Sequence, residues 1–266
     1  MTFRTLRVPL LLLSAGLAPQ GTWLQPIAGA PSMYSQEADP IRELERGLAS
    51  KDAKLREQAI QAHGPSGNDR AVALIAKALR DKERPVRYMA VETLRHCAHR
   101  KALDALHKML RSDKSLGGDA EMHIALLKAI GQHGNEKSLD LLSSELLVNP
   151  DRAVTRAGIL AIANIRSRES VETLMSLMRS AGRAQVQRHM SSLRFGLVVL
   201  TGTDEGKSQD RWNTWWNDQK RKLKVSPDVP ALTEENRRIW NAHWGIQRRR
   251  ERVLRRHDRG TGDPER

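Results

Sequence analysis

The densest group of charged side chains in the sequence lies near its C-terminal end. Six arginines occur within one short run there: Arg248, Arg249, Arg250, Arg252, Arg255 and Arg256. Guanidinium groups form paired hydrogen bonds with phosphate and carboxylate oxygens, so this cluster could bind an anionic partner. Runs of like charge are also commonly solvated and make no specific contact, and the sequence leaves both interpretations open.

A second candidate site is the cluster His96, Cys97 and His99, because Cys and His side chains are zinc ligands. On a helix, Cys97 would point about a quarter-turn away from the two histidines, and no matching second pair of ligands follows. The motifs G-x-S-x-G and H-E-x-x-H and the Gly-rich phosphate loops are missing from the sequence. We therefore predict no catalytic residues, no metal, no cofactor and no enzymatic activity, although an active site assembled from distant residues stays open.

The composition favours helices and a basic surface. The 266 residues include 45 Lys and Arg against 31 Asp and Glu, which gives a net charge of +14. Aromatic residues make up only 4%, whereas β-sandwiches and barrels favour aromatic and β-branched side chains. The single cysteine excludes an intramolecular disulfide. These observations indicate an all-helical protein whose fold does not depend on disulfides.

The central part of the sequence repeats with one irregular set of spacings. Three columns of apolar residues are each separated by 31, 36 and 32 residues. The columns are Ile75, Leu106, Leu142 and Leu174; Val72, Leu103, Leu139 and Val171; and Leu79, Leu110, Leu146 and Met178. Because three independent columns share the same offsets, we interpret this segment as an array of repeated units.

Each unit contains two helical patterns separated by turn residues. One helical face of the second unit carries the apolar residues Val86, Ala90, Val91 and Leu94. Asp39 and Pro40 predict the start of the first helix, as its N-cap and its first helical residue. Since a helix pair cannot bury its apolar stripe alone, the units must stack. We predict a right-handed all-α solenoid of about five helix pairs over residues 40–202.

The segment Arg84–Leu94 resembles the V-R-x-x-A-x-x-x-L helix of the HEAT-repeat family, including the short bacterial repeats also found in phycobilisome lyase-like proteins. The resemblance extends over about residues 40–200. It implies an α-solenoid of HEAT-like helix pairs that binds a protein partner on its surface. Some HEAT-like families are DNA glycosylases or bilin lyases, but no motif in this sequence transfers either activity.

Three tryptophans follow the repeats at helical spacing, at Trp212, Trp215 and Trp216. They could form an aromatic platform for bases or sugars, but terminal repeats need a cap, so we interpret residues 203–224 as a capping helix. The L-T-G-x-D and W-x-x-W-W pattern is similar to the ending of many exported bacterial HEAT-repeat proteins. We then predict a linker over 225–232, a basic helix with Trp and Arg over 233–258, and a disordered tail over 259–266.

The N-terminal residues follow the order of a secretory signal peptide. Arg4 and Arg7 precede an almost wholly apolar stretch over residues 8–18, and small residues suited to cleavage follow it. The stretch is shorter than the ~20 residues that span a bilayer. We predict a signal peptide over 1–32, a linker over 33–39 and a periplasmic or otherwise extracytoplasmic location. A disordered apolar tail and an uncleaved anchor are the alternatives.

These patterns together predict a non-enzymatic, protein-binding scaffold that is exported from a bacterial cell. Its arginine-rich tail would attach it to anionic lipid or to an acidic polymer, because a basic helix that carries Trp can lie at a membrane surface. The alternative is a cytoplasmic HEAT-repeat protein that binds nucleic acid, in which case the signal-peptide interpretation is wrong.

Overall fold

The computed structural model describes residues 39–64, 67–144 and 146–246. Within these ranges the chain forms twelve α-helices and no strand. The helices are α1 (Pro40–Leu48), α2 (Ala53–His63), α3 (Asp69–Ala78), α4 (Arg84–Arg95), α5 (Arg100–Ser112), α6 (Ala120–Gln132), α7 (Leu139–Ser143), α8 (Arg152–Asn164), α9 (Arg168–Ser180), α10 (Arg183–Thr201), α11 (Gln209–Gln219) and α12 (Glu234–Trp244). None of the described helices is long and apolar enough to cross a membrane.

Helices α1 to α10 form five successive pairs arranged in two layers. In the even layer, α2, α4, α6, α8 and α10 each contact the next one in order. In the odd layer, α1, α3 and α5 contact one another in order, and α7 contacts α9. The predicted apolar columns lie between the layers, where all of their members are buried except the partly buried Leu110. The α-solenoid of HEAT-like pairs is therefore confirmed.

Acidic residues precede four of the five helices of the even layer, α2, α4, α6 and α8, and follow the same repeat spacing. Asp52, Asp119 and Asp151 each accept a hydrogen bond from a backbone N–H of the first helical turn, at 2.6–3.0 Å. Glu83 occupies the equivalent position before α4 and makes no such bond. Pro85 lies in the first turn of α4, where its fixed φ favours the helix. Local residues thus decide where these four helices start.

Small residues allow the helices of the even layer to approach closely. A Cβ atom on Gly131 of α6 would lie 2.6 Å from Cα of Ala161 on α8. A Cβ atom on Gly158 would lie 2.4 Å from the Leu146 side chain. Small residues in this layer thus permit close packing, and α6 and α8 form the most extensive helix–helix contact of the array.

The longest spacing between repeats has more regular structure than we predicted. The sequence indicates a polar loop over Ser112–Asp119. In the structure, Lys114–Gly118 form a short 3₁₀ helix, with the Asp113 side chain accepting a hydrogen bond from the Ser115 backbone N–H at 2.9 Å. Leu116 is buried and holds this turn against the core, so the extra residues pack instead of remaining a loop.

The tryptophans of α11 cover the last helix pair, as predicted. Gly202 ends α10 with a φ of 74°, a left-handed conformation that favours glycine. Trp212 is fully buried, and its indole N–H donates to the Gly206 carbonyl at 2.9 Å. Trp216 is also buried, and α11 packs against α9. These contacts confirm that α11 caps the solenoid.

An arginine between α8 and α9 holds the segment after α11 through four backbone carbonyls. The Arg166 guanidinium donates to the carbonyls of Ser226 and Asp228 at 2.9 and 3.0 Å. It also donates to the carbonyls of Val199 and Leu200 at 2.6 and 3.2 Å. The segment that the sequence predicts as a linker is therefore attached to the end of α10.

Helix α12 folds back over the even layer. Its Trp240 packs edge-on against Phe195 of α10, with ring centres 6.4 Å apart. Its Trp244 lies beneath Arg95 of α4, and the Trp244 carbonyl accepts from Arg95 Nη2 at 3.3 Å. The helix predicted over 233–258 ends at Trp244, because Gly245 adopts a φ of 71°. Residues 247–266 lie outside the described residues.

Candidate partner-binding groove

A groove with a volume of about 620 Å³ runs between α3 and α5 in the odd layer. We call it the α3–α5 groove. It is lined by residues of both helices, of the turns that follow them and of α4: Ala73, Ala76, Lys77, Leu79, Arg80, Asp81, Arg87, Ala105, Lys108, Met109, Ser112, Asp113 and Ser115.

The floor of the α3–α5 groove is apolar and consists mainly of small side chains. Ala73 and Ala76 of α3 and Ala105 of α5 leave space between the two helices. The buried side chains of Leu79 and Met109 lie at the base of this space. Because alanines cannot fill the gap between neighbouring helices, the floor can accept apolar side chains from another molecule.

Three cations on the rim have no acidic partner within the described residues. Lys77 and Arg80 at the end of α3 and Lys108 on α5 are exposed and form no ion pair in that part of the chain. Lysine and arginine carry full positive charge at neutral pH. Their charges are therefore available to an approaching molecule.

The acidic groups of the groove are hydrogen-bonded within the protein, and one of them is paired with an arginine. Both carboxylate oxygens of Asp81 accept from the Arg56 guanidinium at 2.7 Å. These hydrogen bonds hold the pKa of Asp81 below its ordinary value. Asp113 accepts from the backbone N–H and the hydroxyl of Ser115, at 2.9 and 2.6 Å. Because Asp81 is paired with Arg56, the lining cations outnumber the carboxylate of Asp113, and the field at the rim is positive.

Arg56 also explains why the repeat motif carries an arginine. Besides Asp81, its guanidinium donates to the carbonyls of Ser50 and Lys51 at 3.0 and 3.1 Å. Arg87 occupies the equivalent position of the next repeat and donates to the carbonyls of Asp81 and Lys82. Arg56 thus links the turn within the first helix pair to the turn within the second, and Arg87 holds the turn of its own pair, so both support the groove.

The three residues considered as zinc ligands point to different surroundings. Cys97 is buried and His96 is exposed. His99 caps the start of α5, where its Nδ1 accepts from the Lys101 backbone N–H at 3.2 Å. No group of three His, Cys, Asp or Glu side chains suited to a metal ion occurs within 39–64, 67–144 and 146–246.

The tryptophans do not form an open platform for bases or sugars. Trp212 and Trp216 are buried, and the Arg168 guanidinium lies over the Trp216 ring, 5.8 Å from its centre. Trp215 is partly buried and meets Trp212 edge-on, with ring centres 5.6 Å apart. The aromatic faces that a planar ligand would need are therefore occupied by the protein.

The arginines proposed from the sequence to bind an anionic partner all lie outside the described residues: Arg248, Arg249, Arg250, Arg252, Arg255 and Arg256.

Sequence reasoning missed the α3–α5 groove. Its signal was the combination of alanines and lysines on the outer faces of two adjacent repeat helices, at Ala73, Lys77, Ala105 and Lys108. That signal is weak because alanine and lysine are common on exposed helix faces.

A model of a known family matches the part of the molecule that contains the α3–α5 groove. Residues 41–117 match the family model described as HEAT repeats. The matched segment contains α1 to α5 and so includes both walls of the α3–α5 groove. None of the curated proteins matches the chain. The family match and the stacked helix pairs together support a HEAT-repeat protein, an α-solenoid of a kind that suggests a protein-interaction scaffold.

Proposed function

We propose that this protein is a non-catalytic scaffold that binds an acidic, amphipathic segment of a protein partner in the α3–α5 groove. The observation that carries the proposal is the combination of an apolar floor with three unpaired cations, Lys77, Arg80 and Lys108. A surface of this kind fits a helix with apolar side chains on one face and carboxylates along its edges.

The two parts of the groove would contribute differently to binding. Apolar side chains of the partner would displace water from the alanine floor and provide most of the affinity. Carboxylates of the partner would pair with the rim cations, which chiefly determines the orientation and speeds association. The binding rate should therefore fall as salt rises, while the apolar contribution remains.

The proposal can be tested with a fluorescein-labelled, Leu- and Glu-containing amphipathic peptide of about 14 residues. Its anisotropy is titrated with the full chain and with the double variant Lys77→Glu and Lys108→Glu. We expect the wild-type protein to bind the acidic peptide and the variant to weaken Kd at least about tenfold, equivalent to about 1.4 kcal/mol.

Matched control variants distinguish binding in the α3–α5 groove from a general effect of net charge. The double variant Lys54→Glu and Lys207→Glu changes the net charge equally at two exposed sites outside the groove, and should leave Kd unchanged. Equal binding of a peptide with Lys in place of Glu would contradict the proposal. Tighter binding of a single-stranded oligonucleotide that is lost in the Lys77 and Lys108 variant would favour nucleic acid instead.

We also propose that the protein acts outside the cytoplasm after removal of residues 1–32. The support is the order of charged and apolar residues at the N-terminus. Fractionation of the source cell with mass spectrometry of the mature N-terminus tests this. A start near residue 31 or 33 in an extracytoplasmic fraction would support export, whereas an intact N-terminus in the cytoplasm would contradict it.

We further propose that the arginine cluster at residues 248–256 attaches the protein to an anionic surface of the cell envelope. The support is its charge, six arginines against one glutamate. Flotation with liposomes should require anionic lipid and should be lost when the six arginines are changed to Gln. Equal retention by dextran sulfate would reduce the effect to general affinity for polyanions.

A further inference from the structure

The cations of the α3–α5 groove follow the repeat register of the solenoid. Lys77 of α3 and Lys108 of α5 are 31 residues apart, which is the offset of the apolar columns in these two helices, and both side chains line the groove. Arg80 at the end of α3 has an equivalent as well, which is Arg111 in the last turn of α5. Arg111 is exposed and forms no ion pair within the described residues. The end of each helix therefore contributes two unpaired cations at the same two positions of the repeat.

The pattern of unpaired cations does not continue on the neighbouring odd helices α1 and α7. One repeat before Lys77, the equivalent residue is Arg46 of α1, which is already paired with Glu43 at 2.8 Å. One repeat after α5, the equivalent positions are Ser144 and the buried Leu147. The unpaired cations at these positions thus form two groups, one on each side of the groove.

The alanines of the groove floor and the cations occupy different levels of the two helices. On both helices the alanines come first in the chain: Ala73 and Ala76 before Lys77 and Arg80, and Ala105 before Lys108 and Arg111. Equivalent positions of stacked repeats lie side by side. The alanines therefore form one band across α3 and α5, and the cations form a second band next to it.

The helix ends at the cation band do not cancel its positive charge. A helix C-terminus carries about half a negative charge, and the carbonyls of Lys77 and Met109 there already accept from the backbone N–H groups of Arg80 and Asp113, at 3.1 and 2.9 Å. Of the two acidic residues that line the groove, Asp81 is paired with an arginine. Four full positive charges outweigh the two helix ends and the carboxylate of Asp113, so the band attracts anions.

The distance between the two cation groups selects the spacing of carboxylates on a helical partner. The axes of neighbouring packed helices are about 8–10 Å apart, and the cation groups of α3 and α5 are separated by about this distance. On a partner helix, residues seven positions apart are about 10.5 Å apart along one face, whereas residues four positions apart are about 6 Å apart. The seven-residue spacing therefore matches the two groups.

We infer that the partner of the α3–α5 groove is a helix that crosses both α3 and α5, with two carboxylates seven residues apart on one edge. One carboxylate meets Lys77 and Arg80, and the other meets Lys108 and Arg111. Apolar side chains next to this edge lie on the alanine band. The inference rests on the proposed function and adds to it the direction of the partner helix, the spacing of its carboxylates and Arg111 as a further contact.

Two fluorescein-labelled helical peptides of about 18 residues test this geometry. Both have the same composition and the same apolar face, and each carries two Glu, which are seven residues apart in one peptide and four apart in the other. Their anisotropy is titrated with the full chain at constant ionic strength. We expect the peptide with the seven-residue spacing to bind about fivefold more tightly, because it pairs with the cations of both helices.

A matched pair of variants tests the contact assigned to Arg111. Arg111→Gln should weaken binding of the peptide with the seven-residue spacing about threefold. Arg179 is the equivalent residue of α9 and is exposed outside the groove, so Arg179→Gln should leave Kd unchanged. Neither arginine forms an ion pair with a described residue, so both variants should unfold at the wild-type temperature.

The outcomes distinguish this inference from the proposed function. Tighter binding of the seven-residue spacing, weakened by Arg111→Gln and not by Arg179→Gln, would support both. Equal Kd values for the two peptides, or tighter binding of the four-residue spacing, would overturn the crossing geometry and leave the proposed function standing. If neither peptide bound to the full chain, both would be overturned.

Discussion

The N-terminal and C-terminal halves of the even layer differ in how much of their surface is covered by the rest of the protein. In α8, every residue from Ala157 to Ala163 is buried, on all sides of the helix. In α2, by contrast, only Arg56, Ala59 and Ile60 are buried, and Leu55 is 50% exposed. Tyr88 of α4 is likewise 40% exposed. The C-terminal half is covered and the N-terminal half is open.

The difference arises from the segment that follows the repeats. Trp240 and Trp244 of α12 pack against the even layer, and partly buried Leu223, Val225 and Leu232 pack against the same core. A helix that is apolar all round must be covered on every side. The apolar sequence of α8 therefore requires this cover, whereas Leu55 of α2 and Tyr88 of α4 stay exposed.

The largest expected effect comes from removing the cap of the covered half. Trp212→Ala should destabilise the protein by about 3–5 kcal/mol, because a fully buried indole and its hydrogen bond to Gly206 are lost. Urea unfolding followed by circular dichroism measures the loss. Hydrogen exchange should show the opening concentrated in α9 and α10, since repeats interact mainly with their neighbours.

The matching change at the open end is Leu44→Ala, at the one fully buried side chain of α1. This variant should lower the free energy of unfolding by about 2–3 kcal/mol. Its amide hydrogens in α1 and α2 should exchange faster, while those of α8 and α10 stay protected. If both variants instead lost protection uniformly along the chain, the two halves would form one cooperative unit and the comparison would fail.

A smaller effect is expected where the two halves meet. Gly131→Ala places a methyl group against the backbone of Ala161 and should separate α6 from α8. The net cost should be about 1–2 kcal/mol, because the higher helix propensity of alanine offsets part of the strain. Gly117→Ala, which meets nothing within 4 Å, is the control and should leave the urea midpoint nearly unchanged.

The smallest effect is expected from pH, through His243. Its pKa in the folded chain is about 4, below the ordinary value of 6.5. The unfolded chain therefore binds a proton first, and stability is lost as pH falls from about 6.5 to 4 and not above that range. His243→Gln should flatten this dependence by at most about 2 kcal/mol, since α12 can detach locally before the chain unfolds.

Thermal unfolding of the wild type and of the His243→Gln variant at a series of pH values measures the difference in their pH dependence. Burial also lowers the pKa of His107, His123, His133 and His189, so both proteins retain a slope of the same sign. Lys128, Arg156 and Arg95 are the charged groups that lower the pKa of His243 together with burial, and Glu92 accepts a hydrogen bond from Arg95. Identical slopes in the two proteins would mean that His243 is already solvated in the folded chain.

Much of the solenoid could be predicted because its signals are local or periodic. The N-cap Asp39 begins its helix where the sequence indicates. The left-handed Gly245 shows where the prediction failed, since the basic pattern alone suggested that the helix continues beyond Trp244. A single glycine inside a helical pattern does not reveal which conformation it adopts, because glycine tolerates both.

The sequence by itself determined the helix pairs, their starts and the apolar columns, because those depend on residues a few positions apart or one repeat apart. Only the tertiary structure decided that α12 covers the even layer, and that Arg95 contacts a carbonyl 149 residues away. It also decided that Lys77, Arg80 and Lys108 border one groove. The physical reason is that small rotations and shifts between stacked pairs add up along a solenoid. Which distant residues come into contact therefore depends on the whole folded chain.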